Sequence, residues 1–386
     1  MLLTTKDFYT EFTENRHILP YYTKLESNYN KKIFYSAKRD TSTIYNLKCI
    51  SIKLFPKYLT PYFYTDTNIG VKKIFQKDVN GCAILIKEKV TIALFLRNEY
   101  SKKFRTSINR SVNRFELCFN YSYKMITESI TAKQYKFLMG ALHKMLVYRF
   151  NQRNEPNDVL DNWDYYYNLV FNLVNTNKAS ILVIYSNDEP INISINYHFK
   201  NILFISISSF NHNFSKFSLG NISIYKTIEW ALSNNYNLLD MGYGDLEYKR
   251  FWSNYMYEYE NHIVYKKTHI TNAIASIEAS KIKIKNTLKK YPIAKKVAKF
   301  KTLFRKNKSS LNHSINYKTI DVLNPITANL SEVHFGDRNF NLIAKPLYDY
   351  LFLNSIHLDC IRVYEIEYSK EYLIVGSKKT QKVKLN

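Results

Sequence analysis

A short loop before a predicted helix is the first segment whose residue types suggest ligand binding. Its residues are Ser218, Leu219, Gly220 and Asn221. The first turn of a helix has unsatisfied N–H groups and the positive end of the helix dipole, so it can bind a phosphate. Gly220 lets such a ligand approach the backbone closely, and Lys216 adds positive charge nearby. The alternative is an ordinary capped helix, with Ser218 or Asn221 as the N-cap.

Three predicted strands position this loop. The apolar run Ala179–Tyr185 is followed by a turn before Pro190, by the alternating segment 191–199 and, after a second turn, by 202–210. This spacing predicts an antiparallel meander. Alternation places four residues of the middle strand on a polar face: Asn192, Ser194, Asn196 and His198.

A helix over 222–232 and a short strand over 238–241 are predicted after the loop. Three of the eight glycines lie between Gly220 and Gly244. In a chain with so little glycine, this concentration indicates backbone that turns sharply or closely approaches another group.

The residues before the meander predict a mixture of strands and helices. Strands are expected at Lys48–Phe55, Gly81–Ile86 and Val90–Leu96. Ser101–Glu116 has an apolar stripe opposite a basic face, which is typical of an amphipathic helix, and 131–150 predicts a second helix.

The composition is that of a globular protein with no disulfide or metal framework. The chain has 386 residues, 46% of them hydrophobic, and a net charge of +24. Its four cysteines are far apart and no Cys-x-x-Cys or His-Glu-x-x-His motif occurs, so we expect no metal. The N-terminus lacks the apolar core of a signal peptide and no window is apolar enough to span a bilayer, which predicts the cytoplasm. Part of the charge reflects the lysine bias of an AT-rich genome.

We predict four segments along the chain. Residues 1–130 form an N-terminal lobe, 131–272 the catalytic domain, 273–315 a basic helical segment with a linker, and 316–386 a small α/β lobe. From Lys281 to Lys308 the sequence carries twelve lysine or arginine residues and no acid. Such a stripe suits an anionic membrane, a nucleic acid or simply solvent.

Three stretches together resemble the GNAT acyltransferase superfamily, most closely its CelD-like and FemAB-like branch. FNHNFSKFSLGNISIYKTIEWAL is similar to the family's acyl-CoA loop and helix, although Leu219 replaces the usual proline. NLLDMGYGDLEYKRFWSN is similar to its strand ending in Asp, with Gly-x-Gly and a Tyr-Lys pair after it. SKKFRTSINRSVNRFE is similar to its preceding basic helix. The resemblance implies an α/β (α+β) fold, with a twisted, mostly antiparallel sheet flanked by helices, in one lobe or in two tandem lobes.

The resemblance also implies the roles of individual residues. A loop of five residues would hold the pyrophosphate of acetyl-CoA or another acyl-CoA, the co-substrate: Phe217, Ser218, Leu219, Gly220 and Asn221. Asp240 or Glu247 would act as the base or orient the acceptor amine, and Lys249 would stabilise developing negative charge. Tyr248 or Tyr243 would protonate the leaving thiolate. The remaining candidates are Asp245 in the same turn, and His198 and His212, either of which would line the cleft.

The resemblance favours an acyl-CoA-dependent N-acyltransferase or O-acyltransferase acting on a small molecule, a sugar or a glycan precursor. One alternative is a FemAB-like aminoacyltransferase that uses aminoacyl-tRNA, which the charge of +24 favours. Another is a non-catalytic basic binding protein on the same scaffold. We expect nucleic acid as a partner only in the first alternative, and peripheral contact with an anionic membrane through residues 281–308.

Overall fold

The structure is a computed structural model that describes nine stretches of the chain. They are residues 2–36, 48–64, 68–244, 246–288, 317–322, 329–337, 339–366, 369–377 and 379–385. Asp245, the basic segment beyond Leu288 and the predicted linker to residue 315 lie outside the described residues.

The described strands are numbered in chain order. They are β1 (Thr4–Asp7), β2 (Tyr22–Ser27), β3 (Ile33–Ser36), β4 (Cys49–Pro56), β5 (Leu59–Phe63), β6 (Ile69–Leu85), β7 (Tyr121–Ile126), β8 (Ala179–Ser186), β9 (Glu189–Phe199), β10 (Ile202–Phe210), β11 (Leu238–Tyr243), β12 (Tyr255–Lys266), β13 (Tyr317–Val322), β14 (Leu330–Glu332), β15 (Arg362–Ile366), β16 (Glu371–Val375) and β17 (Thr380–Leu385).

The described α-helices are numbered in the same way. They are α1 (Ile92–Glu99), α2 (Lys102–Cys118), α3 (Ala132–Arg153), α4 (Asp158–Asp161), α5 (Trp163–Asn175), α6 (Leu219–Ser233), α7 (Glu247–Trp252), α8 (His269–Leu288) and α9 (Phe340–Asn354). A π-helical turn, Thr10–Glu14, and two 3-10 turns, His212–Phe217 and Leu358–Cys360, complete the helical elements of the described chain.

The chain divides into two compact units, each built from segments that are distant in sequence. The first unit comprises Met1–Lys89, Tyr197–Ser206 and Asn235–Lys308. The second comprises Val90–Asn196, Ile207–Asn234 and Ser309–Asn386. The division into four consecutive segments stays a prediction.

The first unit contains a sheet built around β12. This strand pairs antiparallel with β4 and β6, and β11 pairs antiparallel with β6. The parallel pairs are β1 with β4 and the start of β10 with β11. A smaller sheet has the order β3-β2-β5. The α/β architecture with a mostly antiparallel sheet is therefore as predicted, and the strands expected at Lys48–Phe55 and Gly81–Ile86 are confirmed as β4 and the end of β6.

The second unit contains the predicted helices and most of the meander. β7 pairs antiparallel with β8, and β9 and β10 follow in the order β7-β8-β9-β10. The side chains of Ser101 and Thr131 cap α2 and α3 by accepting from Phe104 N and Gln134 N. Residues 317–385 add a five-stranded sheet with the order β13-β17-β16-β15-β14 and the helix α9.

One sequence-based expectation is wrong. Val90–Leu96 is not a strand, because Thr91 caps α1 by accepting from Leu94 N at 3.3 Å and starts a helix in the same apolar run. The polar residues that alternate along β9 are buried like the apolar residues between them. Asn196 satisfies part of its amide there by donating to Ser180 Oγ and accepting from Ser194 Oγ.

Among the described residues, no helix is both long and apolar enough to cross a bilayer.

Candidate functional site

Asp240 lies where two parallel strands of the first unit stop pairing. β10 and β11 are paired over three positions, and the last pair is Phe204 with Asp240. Beyond it, β11 continues to Tyr243 with a register shift against β6 between Asp240 and Tyr243. Backbone groups released in this way can face a ligand instead of a neighbouring strand.

The Asp240 carboxylate is buried and accepts three hydrogen bonds. Its Oδ1 accepts from the Tyr257 hydroxyl at 2.6 Å and from Gly242 N at 2.7 Å. Its Oδ2 accepts from the Tyr58 hydroxyl at 2.8 Å. An ionised carboxylate offers about four acceptor positions, so one position at Oδ2 remains.

Burial raises the pKa of Asp240 above its usual 3.8. The hydrogen bonds from Tyr257, Gly242 and Tyr58 and the attraction of the Lys249 ammonium oppose that increase. A carboxyl group whose pKa is shifted towards neutrality can exchange a proton with an amine more readily than a solvated aspartate can.

The tyrosine side chains around Asp240 form a connected hydrogen-bond network. Tyr257 and Tyr259 face each other through their hydroxyls at 2.9 Å, and burial raises both pKa values well above 10.0. Tyr9, close to this network, is bonded to Ser206 on β10, and burial also raises the pKa of its phenol. These phenols are therefore neutral at physiological pH and can donate hydrogen bonds.

Sequence reasoning missed the tyrosine partners of Asp240. Tyr255, Tyr257 and Tyr259 alternate along β12, so they share one face of the strand. That alternation was a usable signal, but it is inconspicuous in a chain with 34 tyrosines. Tyr58 lies in the two-residue turn between β4 and β5 and has no local signal that connects it to Asp240.

Lys249 approaches the same carboxylate from the short helix α7. Gly242 and Gly244 have positive φ values of 70° and 117°, which turn the chain sharply between β11 and this helix. Lys249 Nζ donates to Tyr243 O at 2.8 Å. Burial lowers the pKa of Lys249 below its usual 10.5, and the Asp240 charge opposes this decrease. The ammonium group has three hydrogens, so it can also donate to a substrate oxygen.

Three further candidates that the structure describes, at or after the end of β11, lie at the surface. Glu247 is exposed at the start of α7, and Tyr248 and Tyr243 are 41% and 58% exposed. The ring of Tyr243 makes an edge contact with Tyr259, at 6.4 Å between centroids. The structure therefore brings Asp240 and Lys249 together and leaves Glu247 and Tyr248 more accessible.

The predicted anion-binding loop belongs to the second unit. Ser218 has a left-handed conformation, with φ 57°, and occupies the N-cap position of α6 without a capping side-chain hydrogen bond. Its carbonyl accepts from Asn221 N and Ile222 N. Within the described residues, the N–H groups of Leu219 and Gly220 have no acceptor, so they are available to an anion.

The space over Gly220 is open. A Cβ at this position would meet only Phe210, at an ordinary contact distance of 3.7 Å. Gly220 has no positive φ that would require glycine, so neither packing nor backbone conformation explains it. A glycine of this kind fits close approach of a ligand, which is what a phosphate-bearing co-substrate needs.

The side chains on either side of Ser218 are structural. Phe217 and Leu219 are fully buried, and Phe217 packs against Phe115 and Phe119. Any ligand contact from these two residues is therefore made by the backbone. Lys216 forms an ion pair with Asp349 at 3.5 Å, so part of its charge is already neutralised.

The two candidate histidines are held in protein contacts. His198 is buried in the first unit. Its backbone carbonyl accepts a hydrogen bond from the Arg16 guanidinium, and its Nδ1 is 3.0 Å from the Tyr236 hydroxyl. Burial and the Arg16 charge lower the pKa of His198 to about 4. His212 lies in the second unit, where burial and Lys345 lower its pKa.

The site offers groups for proton transfer and charge stabilisation. The part of the chain that the structure describes contains no cluster of metal-binding side chains. A buried carboxylate with a raised pKa, neutral phenols and a desolvated ammonium together suit attack of an amine or hydroxyl on a carbonyl carbon.

One comparison with known proteins matches part of the chain to a protein family. Residues 102–250 match the family model described as an acetyltransferase (GNAT) domain. This range includes α2, the Ser218–Asn221 loop, Asp240 and Lys249. No curated protein matches the chain.

Several solved structures are similar to part of the chain at low identity. FemX is 10% identical, with a TM-score of 0.41, over 60% of this chain and 74% of that chain. L-PGS from Bacillus licheniformis is 14% identical, with a TM-score of 0.37, over 61% and 73%. The C-terminal domain of a putative lysylphosphatidylglycerol synthetase from Agrobacterium fabrum is 9% identical, with a TM-score of 0.38, over 60% and 72%. Likeness at this level carries no information on substrates.

Proposed function

We propose that this protein is an acyltransferase whose chemistry takes place at Asp240, a proposal that the match of residues 102–250 to an acetyltransferase (GNAT) domain model supports. The observation that carries the proposal is the buried Asp240 carboxylate. It lies on β11, inside the matched range, and accepts hydrogen bonds from the hydroxyls of Tyr58 and Tyr257. The acceptor is an amine or hydroxyl of a small molecule, a sugar or a glycan precursor.

Asp240 and Lys249 have different roles in the proposed reaction. Asp240 accepts the proton that the attacking amine or hydroxyl must lose, and its raised pKa suits this role. Lys249 donates a hydrogen bond to the carbonyl oxygen as negative charge develops there, in a desolvated place where such a bond is strong. Tyr58 and Tyr257 are positioning residues, because they hold the carboxylate in one orientation.

The proposed donor is an acyl-CoA, which supplies an activated thioester carbonyl. When the acceptor nitrogen or oxygen bonds to that carbon, the C–S bond breaks and CoA leaves as a thiolate, which the hydroxyl of Tyr243 or Tyr248 would protonate.

The backbone N–H groups of Leu219 and Gly220 would bind the pyrophosphate of the acyl-CoA, and the open space over Gly220 supports this assignment. Ser218 and Asn221 shape the turn that presents these groups, and the buried Phe217 anchors it.

An aminoacyl ester of tRNA is the second candidate donor. The ion pair of Lys216 with Asp349 removes one cation from the proposed phosphate loop, which weakens the case for CoA. The exposed cations of α2 suit a nucleic-acid backbone, and they are Lys102, Lys103 and Arg110. Both donors carry an ester-type carbonyl that an amine or hydroxyl can attack, so the two proposals differ in the groups that hold the donor.

The test is thermal unfolding with and without acetyl-CoA, with Gly220→Trp as the disabled variant and Gly220→Ala as its matched control. A ligand at 100 times its Kd adds about 2.7 kcal/mol to the free energy of unfolding. We expect a stabilising shift in the wild type and in Gly220→Ala, since alanine makes only an ordinary contact with Phe210. The shift should disappear in Gly220→Trp, whose unliganded midpoint checks that it is folded.

The other outcomes separate the remaining hypotheses. Stabilisation and acyl transfer with aminoacyl-tRNA but not with acyl-CoA would select the second donor. Absence of transfer from either donor, with Asp240→Asn behaving as wild type, would leave only a non-catalytic binding protein.

A further inference from the structure

One face of helix α8 exposes a row of large aliphatic side chains. Their exposed fractions are 65% for Ile270, 56% for Ile277, 58% for Ile284 and 52% for Leu288. The three isoleucines recur every two helical turns, so the four residues form one stripe, called here the isoleucine face. Large aliphatic side chains in a continuous row on a surface mark an interaction site more often than isolated ones do.

The opposite face of α8 is fully engaged in the first unit. Ala275, Ala279 and Ile282 pack into a core with Ile74 and Ile263. Three polar contacts fix the helix to neighbouring strands: Ser51 Oγ to Glu278 at 3.2 Å, Lys72 Nζ to Ser276 at 2.7 Å, and Asn286 Nδ2 to Phe75 O at 2.7 Å. The helix is therefore held in an orientation that keeps the isoleucine face outwards.

The charges beside the isoleucine face are positive. Lys281 and Lys285 are exposed within the same two turns as Ile284. Glu278 is the single acid of α8, and its carboxylate accepts from Ser51. An aliphatic stripe bordered by lysines and without a free carboxylate complements a surface that is apolar inside and anionic outside.

We propose that α8 binds the surface of an anionic lipid bilayer, with the isoleucine face inserted among the acyl chains and Lys281 and Lys285 at the headgroups. The charge complementarity selects a membrane over a second copy of this chain, because two such faces would bring like charges together. The helix lies along the membrane plane and anchors the protein peripherally. This inference is independent of the donor and acceptor proposed above.

The test is sedimentation of the full chain with vesicles of phosphatidylcholine, with or without about one third phosphatidylglycerol. We expect partitioning to the anionic vesicles that falls as salt is added. Ile277→Glu with Ile284→Glu should lower the partition coefficient about tenfold or more. Replacing Lys281 and Lys285 by glutamine should cost about fivefold per charge on anionic vesicles. Leu353→Glu, at a 63% exposed position outside α8, is the matched control and should bind as the wild type does.

Two results would overturn the proposal. One is equal partitioning of the wild type and the Ile277→Glu, Ile284→Glu variant. The other is a wild-type dimer in light scattering that this variant converts to a monomer, with no vesicle binding by either, since the occupant would then be a second copy. All the substituted residues are exposed, and an unchanged unfolding midpoint verifies that the variants are folded.

Discussion

The phenol ring of Tyr257 lies over the backbone of Gly81, in the space that a Cβ on Gly81 would occupy. The two residues are register partners in β12 and β6. Because Gly81 has no side chain, the ring lies close against β6 and its hydroxyl reaches Asp240 on β11 at 2.6 Å. The absence of a side chain at Gly81 on β6 thus lets Tyr257 on β12 reach Asp240 on β11.

Gly81→Ala should lower kcat more strongly than it lowers the free energy of unfolding. A methyl group at this position displaces the Tyr257 ring and breaks its bond to Asp240, so we expect kcat to fall about tenfold or more. Gly70→Ala is the matched control, because the Tyr265 ring lies over Gly70 in the same way but is not bonded to Asp240. Steady-state kinetics and urea unfolding of both variants make the comparison. Equal losses of kcat would contradict the role assigned to Tyr257.

Asp240→Asn should change how stability depends on pH. The pKa of Asp240 is raised in the folded protein, so the folded state holds this proton more tightly than the unfolded state does. Its stabilising contribution is present below the unfolded value of 3.8 and is lost as pH rises through the folded pKa. The difference in unfolding free energy, wild type minus variant, should therefore decrease from acid to neutral pH in urea titrations. A difference that does not vary with pH would show that Asp240 has an ordinary pKa.

Asp240→Asn should also abolish most transfer while leaving donor binding intact. Loss of a general base typically costs about 10²–10⁴ in kcat. The expected pattern is a large decrease in kcat with little change in the thermal shift produced by the donor. A variant that retains near wild-type kcat would remove Asp240 from the chemistry.

Lys249→Arg should shift the alkaline limb of the pH–rate profile. Lys249 must carry its proton to stabilise negative charge, and its pKa lies below 10.5 because of burial. The wild-type rate should therefore decrease at a lower pH than an ordinary lysine would give, whereas arginine stays charged throughout. Lys249→Met should lose about 10²–10³ in kcat at all pH values. Superimposable alkaline limbs for the wild type and the arginine variant would show that another group titrates.

His198→Gln should lose less unfolding free energy than the wild type does when the pH becomes mildly acidic. Burial lowers the pKa of His198 from 6.5 to about 4, so the unfolded state takes up this proton first as pH falls. The contribution of His198 to the free energy of unfolding is fully present above its pKa in the unfolded state. It is lost as pH falls towards its pKa in the folded state, by up to about 1.4 kcal/mol per pH unit. Glutamine does not titrate and keeps a polar partner for Tyr236. Urea unfolding of both proteins between these pH values measures the effect, and parallel curves would refute it.

The sequence by itself determined many of the local elements and carried a resemblance to one domain family. Caps such as Ser101 and Thr131, helical periodicity and strand alternation act over a few residues, so α2, α3 and the meander are predictable from short windows. The three stretches from α2 to α7 resemble the GNAT superfamily, and the match over 102–250 agrees. Where local signals conflicted, as at Val90–Leu96, the helix cap at Thr91 decided against a strand.

Only the tertiary structure decided which side chains surround Asp240. Tyr58 and Tyr257 come from segments far apart in the chain and meet the carboxylate because β4, β12, β6 and β11 are neighbours in one sheet. Strand order and register depend on non-local pairing, which no short window of sequence contains. The same holds for β9, whose polar residues alternate as an exposed face would but are buried once both sides of the strand are covered.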